Sequence, residues 1–281
     1  MTAVDERERE VQHDIETPDP VQLRFGIDFL AASLTDATIV MSMPMAGLRN
    51  PFTGAPAFAP LAILVDSAAG MVNHYRRRAD QWTVSSELSV DAGPGCFEAI
   101  AETASPVVAR AHAVGPVATT SLAICTLSCG EVVIGTGTVR SLFIPAEGVT
   151  NDRPAQTPTH AIEPTLANLM AVQVRAVEDG DVVLDQLADP DLDNDIGIVH
   201  GGTAAAGLEL TASAAMNHDR SAGLLQTASL RVNFLRPFMS GTTTRYIGTP
   251  FRVGRRTGIG DARAIGDDGK VAITARATAY R

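Results

Sequence analysis

The chain has little cysteine, no long apolar run and no excess of positive charge, and each shortage removes a class of protein. Cys96, Cys125 and Cys129 are its three cysteines. With no second pair beside Cys125 and Cys129, and no suitably spaced histidines, they form no metal framework and read as structural thiols of a reduced, cytoplasmic setting. The longest apolar stretches, such as 61–70, are half the roughly 20 residues that span a bilayer, and Asp66 interrupts this one, so no membrane span is expected. A net charge of −10 and an isoelectric point near 5.0 argue against nucleic acid, whose phosphates demand a basic surface. Asp5-Glu-Arg-Glu-Arg-Glu10 is mixed in charge with no apolar core region, unlike a secretory signal, so residues 1–20 are expected to form a mobile tail or a peripheral helix.

What is present is a repeat. Asn50-Pro-Phe-Thr-Gly54 precedes Ala57-Phe58-Ala59, and Asp66 follows Ala57 by the nine places that separate His200 from Glu209. Ser85-Ser86-Glu87-Leu88 matches Thr227-Ala228-Ser229-Leu230, and an Asn-His pair follows each acid, at Asn73-His74 and Asn217-His218. An offset of about 143 residues is too long for a solenoid repeat and fits one small domain duplicated within 281 residues. Between the copies, residues 145–164 hold four prolines and few apolar side chains, which excludes a central strand or regular helix and marks a linker. The expected units are therefore 21–144 and 165–281.

Each unit has one order of elements. A strand (around 37–44 or 180–188) leads to a turn-rich motif, an apolar helix (59–76 or 201–217) and then three or four strands. Leu61, Leu64, Val65, Ala68, Ala69 and Val72 fall on one broad helical face, and Thr203 to Ala215 is rich enough in alanine for a sheet to wrap closely around it. Ser121–Leu127, Val132–Val139, Leu230–Leu235 and Val271–Ala277 carry β-branched residues between Gly, Pro and Asp punctuation. The expected class is α+β, each unit a curved antiparallel sheet around one helix.

The densest chemistry lies in Asn194-Asp-Ile-Gly197-Ile-Val-His200-Gly201-Gly202, at the start of the second helix. Two glycines there bring bare N–H groups near a ligand where a helix N-terminus favours developing negative charge. A buried carboxylate beside such donors suits acyl transfer or hydrolysis. Gly135-Thr-Gly137 lacks the strand–turn–helix setting of a dinucleotide site.

This N-x-x-G-x-x-H-G-G pattern resembles the hotdog-fold acyl-CoA thioesterases of the phenylacetate-degradation (PaaI-like) type. Thr227-Ala-Ser-Leu-Arg-Val-Asn-Phe-Leu-Arg-Pro237 resembles that family's first strand after the central helix, and Gly254-Arg255-Arg256-Thr257 with Asp267-Asp268-Gly269-Lys270 resembles its next hairpins, so the likeness covers about residues 160 to 281. The resemblance implies tandem hotdog domains with sites between them, one domain giving the amide-rich loop and the other the carboxylate. One composite site would join Asn194, His200 and Gly201 to Asp66 and Ser85. Gly201 N–H would polarise the thioester carbonyl, Asp66 would attack it or activate water, and Ser85 would position that water or the carboxylate. The other would join Asn50 and Phe58 to Glu209 and Thr227, with Pro56-Ala57-Phe58-Ala59-Pro60 where His-Gly-Gly should stand, so it is expected to be silent or repurposed. Arg255 and Arg256 are candidates for the CoA phosphates, as are Arg76, Arg77 and Arg78. The implied protein hydrolyses acyl-CoA without metal or other cofactor and pairs as a homodimer. A non-catalytic acyl-CoA binding protein and a hotdog hydratase or dehydratase are the alternatives.

Overall fold

Alternating burial builds the strands. In Thr120–Cys129, the side chains of Ser121, Ala123, Cys125 and Leu127 are buried, while Leu122, Ile124 and Thr126 on the other face are only partly covered. The computed structural model describes residues 19–103, 105–146, 165–175, 181–194 and 196–281. The first half runs α1 (Pro20–Phe25), β1 (Asp28–Ser33), β2 (Thr38–Met43), α2 (Ala59–His74), β3 (Gln81–Ala92), α3 (Cys96–Thr103), β4 (Val107–Val114), β5 (Thr120–Cys129) and β6 (Val132–Pro145). The second runs α4 (Leu166–Leu169), β7 (Val172–Val174), β8 (Val182–Gln186), a 3₁₀ turn (Pro190–Leu192), α5 (Gly201–Asn217), β9 (Gln226–Phe234), β10 (Arg245–Val253), β11 (Thr257–Ile265) and β12 (Val271–Tyr280).

All twelve strands join one antiparallel sheet in the order β1-β2-β4-β5-β6-β3-β9-β12-β11-β10-β8-β7. Read inward from either edge the order is the same, with β7 in the place of β1, β8 of β2, β10 of β4, β11 of β5, β12 of β6 and β9 of β3. The halves meet at β3 and β9, paired from Glu87↔Asn233 to Asp91↔Ser229. Arg231 crosses that seam with a two-pronged bond to the Asp91 carboxylate at 2.8 and 3.0 Å.

Helices α2 and α5 lie against the strands of their own half and against each other. Both are buried on nearly every side, which is why α2 is apolar all round and α5 so rich in alanine. Gly248 in β10 shows how close the packing is, because a Cβ there would overlap the carbonyl oxygen of Thr211 in α5. After each helix an arginine clamps the neighbouring hairpin: Arg76 donates to the Gly115 carbonyl at 2.6 Å, and Arg220 to that of Gly254 at 2.7 Å.

Several expectations change. The short strands β1 and β7 lie outside the expected first strands, and α2 ends at His74 where a helix to 76 was expected. Pro145 is the last residue of β6, opposite Gln81, a position at the end of the ladder where the missing N–H costs little. The linker thus begins later than expected, and what remains of it, 147–164, lies outside the described residues, as does most of the expected tail, 1–18. Among the described residues, no helix is long and apolar enough to cross a membrane.

Candidate active site

The loop before α5 is shaped by its own side chains. Asn194 Oδ1 accepts the N–H groups of Ile196 and Ile198, both at 3.1 Å, and Gly197 turns the chain with φ +72°. His200 then caps the helix, its Nδ1 accepting the Gly202 N–H at 3.2 Å. Gly201 is the first helical residue, so its own N–H has no partner within the helix.

This helix start presses on the middle of α2. A Cβ on Gly201 would lie 2.8 Å from Asp66 Oδ2, and one on Gly202 would lie 2.8 Å from the Ile63 Cα. The Gly pair therefore has a packing role, and that packing brings Asp66 of one half to the amide-rich loop of the other. Asp66 Oδ1 accepts from Ser85 Oγ at 2.9 Å, and Asp66 Oδ2 is 3.7 Å from His200 Nδ1. The two contacts of that nitrogen compete. While it accepts the Gly202 N–H it carries no proton, so His200 is neutral and Nε2 is its donor; an ion pair with Asp66 would need Nδ1 protonated and the cap broken. The shorter, directed cap is the better bond. Asp66 is 6% exposed and His200 and Gly201 only partly covered, so the centre is sheltered but reachable.

The second expected composite also assembles, in a closed form. Thr227 Oγ1 donates to Glu209 Oε1 at 2.6 Å, while Oε2 receives no well-formed hydrogen bond, the Ala59 amide acting on the carboxyl by proximity and not by a directed bond. Burial pushes the Glu209 carboxyl up to about 7, partly opposed by the Thr227 hydroxyl and the Ala59 backbone amide. Asn50 is tied down, donating to the Leu210 carbonyl at 3.3 Å and accepting the Phe52 N–H at 2.9 Å. The residue in the cap position of His200 is Phe58, not Ala57, so the acid follows the cap by eight places in the first half and nine in the second. Phe58 makes no side-chain cap and is 2% exposed, and Glu209 is 1% exposed. The Ala59 amide had no signal in the sequence, since any residue supplies it.

Arg255 and Arg256 are not brought to Asp66. They lie in the exposed β10–β11 hairpin, which Arg220 ties to the chain beyond the C-terminus of α5, about 24 Å along the helix axis from Gly201. Arg76 is committed to Gly115 and Ser121, Arg77 is buried, and Arg78 faces Asp80. The three thiols are free and buried, and burial holds Cys96 and Cys125 up at about 12, which makes them poor nucleophiles. Among the described residues no group of His, Cys, Asp or Glu could hold a metal ion.

A family model described as "Thioesterase superfamily" matches residues 196–273, from the loop before α5 into β12. No curated protein matches the chain. Among solved structures, the TesB protein of Mycobacterium avium subsp. paratuberculosis is 12% identical, with 92% of this chain and 97% of that one covered at a TM-score of 0.59. The acyl-CoA thioesterase II TesB2 of Mycobacterium marinum is 10% identical over 92% of this chain and 96% of its own, at 0.57. The fold is that of the hotdog thioesterases. The PaaI protein from the phenylacetic acid degradation operon of Escherichia coli is 19% identical over 41% of this chain and 86% of its own, with a TM-score of 0.37.

Proposed function

We propose that the chain is an acyl-CoA thioesterase made of two hotdog units, 21–144 and 165–281, with its reaction centre at Asp66. The observation that carries this is the meeting of the Asp66 carboxylate with Gly201 and His200 across the two halves. Asp66 takes a proton from a water molecule as that oxygen attacks the thioester carbonyl. The Gly201 N–H, at the positive end of α5, holds the oxyanion, and the Nε2–H of His200 is the second donor. Collapse of the tetrahedral intermediate breaks the C–S bond and releases the thiolate, which is protonated to CoA-SH, and the free acid. Ser85 keeps the attacking carboxylate oriented, and Asn194 holds the loop. Direct attack by Asp66 through an anhydride uses the same contacts.

The Glu209 centre, buried and with Phe58 where a capping histidine would stand, does not react in this reading. It is the feature that favours a non-hydrolytic acyl-CoA binder, and that second reading applies to this half of the molecule only. A PaaI-like subtype, a cytoplasmic setting and a homodimer of tandem chains belong to the same proposal; a light-scattering mass of one chain would sink the dimer. The test of function is thiol release from short, medium, long and aryl acyl-CoAs by the intact chain, Asp66→Asn and Glu209→Gln. Turnover lost about 10²- to 10⁴-fold in Asp66→Asn alone is the expected result. Loss in Glu209→Gln alone would move the reaction to the other centre, and no hydrolysis of any substrate would reject the reading.

A further inference from the structure

The loop that carries His200 and Gly201 belongs to the second half, yet a residue of the first half holds it. Helix α1 is anchored by Val21 and Phe25, both buried, and closed at its two ends, by a capping box of Asp19 with Gln22 and by Gly26 at φ +63°. Arg24 then reaches across to the second half. Its Nη1 lies 2.6 Å from Asp189 Oδ2 and its Nη2 donates to the Asn168 carbonyl at 3.1 Å, with 5% of the side chain exposed. A guanidinium suits this place because its planar fork meets two acceptors at a fixed spacing.

A run of hydrogen bonds leads from that contact to the reaction centre. The other Asp189 carboxylate oxygen accepts the Asp191 N–H at 3.1 Å, and the Asp189 carbonyl accepts that of Leu192 at 3.0 Å, which together close the 3₁₀ turn. The Leu192 carbonyl in turn accepts the His200 N–H at 2.8 Å. His200 caps α5 through Gly202, and the next residue, Gly201, is the one packed on Asp66. Where Asp189 sits thus sets where the loop donors sit.

The pair is a poor device for stability alone. It withdraws two charges from water, and Arg24 Nε is buried without a hydrogen-bond partner. It is also confined to one half. The first-half loop, 44–57, has no acidic residue, and α4, which precedes the edge strand β7 as α1 precedes β1, has no basic one. The clamp accompanies the loop that has His200-Gly201 and is missing from the loop that has Phe58.

We propose that Arg24 is a positioning residue for the Asp66 centre, holding His200 and the Gly201 N–H in place against Asp66 through Asp189 and the 3₁₀ turn. What this says of turnover rests on the thioesterase reading, whereas the clamp on the loop does not.

The experiment compares the full chain with Arg24→Met, Arg24→Lys, Asp189→Asn and the double variant Arg24→Met/Asp189→Asn. Arg231→Met is the control, since it removes an ion pair between the halves at the β3–β9 seam. Melting by circular dichroism establishes that each is folded, and should Arg24→Met not fold, Arg24→Lys and Asp189→Asn carry the comparison. Two properties are measured: amide hydrogen exchange at His200 and Gly202, and kcat and KM for thiol release. Exchange at these amides should speed up about tenfold or more in Arg24→Met and in Asp189→Asn and stay at the parental rate in Arg231→Met. The same variants should lose about tenfold or more in kcat while KM stays within about threefold, and the double variant should be no worse than the poorer single one. Arg24→Lys keeps the charge facing Asp189 and should recover part of the kcat. Parental exchange at His200 and Gly202 in folded Arg24→Met and Asp189→Asn overturns the proposal, as does a parental kcat or a loss that adds in the double variant. A parent that hydrolyses no acyl-CoA rejects the thioesterase reading by itself, and exchange alone then decides the clamp.

Discussion

Replacing Glu209 by glutamine should change how the stability of this protein depends on pH. The Glu209 carboxyl titrates at about 7 in the folded chain against 4.5 when exposed, because burial penalises its charged form. A raised carboxyl gives its stabilising contribution in full below pH 4.5 and loses it as pH rises toward 7. Between those values the folded chain keeps a proton that the unfolded chain has released, so stability falls with rising pH. At about 1.36 kcal/mol per unit the whole shift is worth about 3 kcal/mol, of which about 2.5 kcal/mol falls between pH 5 and pH 8. Glutamine nearly matches the shape, can still accept from Thr227 and does not titrate. The assay is urea unfolding of both chains at pH 5, 6, 7 and 8, read as extrapolated stability. The difference between them should grow toward high pH, with the Gln variant gaining on the parent by about 2.5 kcal/mol. Groups elsewhere titrate alike in both chains and cancel. Stability curves that run parallel within about 0.5 kcal/mol would refute the argument, showing that water or an unseen partner satisfies the charged carboxylate.

Further outcomes follow from the same contacts. Gly202→Ala places a Cβ 2.8 Å from the backbone of Ile63, which cannot yield cheaply, so it should lower stability by about 1 to 3 kcal/mol in the same unfolding assay. Gly201→Ala meets Asp66 Oδ2 instead, and in a steady-state thiol-release assay it should lower kcat more than about tenfold as the carboxylate is pushed aside. Ser85→Ala removes the hydroxyl 2.9 Å from Asp66 Oδ1 and should cost activity while stability changes by about 1 kcal/mol. Asn194→Ala leaves two loop amides without their acceptor, and hydrogen exchange should show residues 196–200 opening faster.

The central helices were legible because their signals are local. The apolar and alanine-rich run after His200-Gly-Gly gives α5 at 201–217 as expected, and the meeting of Asp66 with His200 and Gly201 is the one that the resemblance to hotdog thioesterases implied. Less legible was the first-half loop. Aligning Ala57 with His200 kept the acid spacing equal, yet the cap is Phe58, one residue further on, because the cap is set by where the helix starts and not by the spacing to the acid. The three-residue strand β7 is too short to show a period, and β1 is exposed along most of its length, so neither carries the burial pattern by which strands are read.

The sequence by itself carried the internal repeat, the class of fold and the chemical kinds gathered in the loop, because spacing and periodicity are properties of neighbours along the chain. Only the tertiary structure decided that Phe58 takes the cap position in the first half, that one centre is reachable and the other closed, and that Arg255 and Arg256 stand at the far end of α5 from Asp66. Those outcomes depend on two helices crossing closely enough to exclude a methyl group and on one strand pair, β3 with β9, joining the halves into a single sheet. Burial, and with it the proton on Glu209, is a property of that assembled packing and of no stretch of sequence.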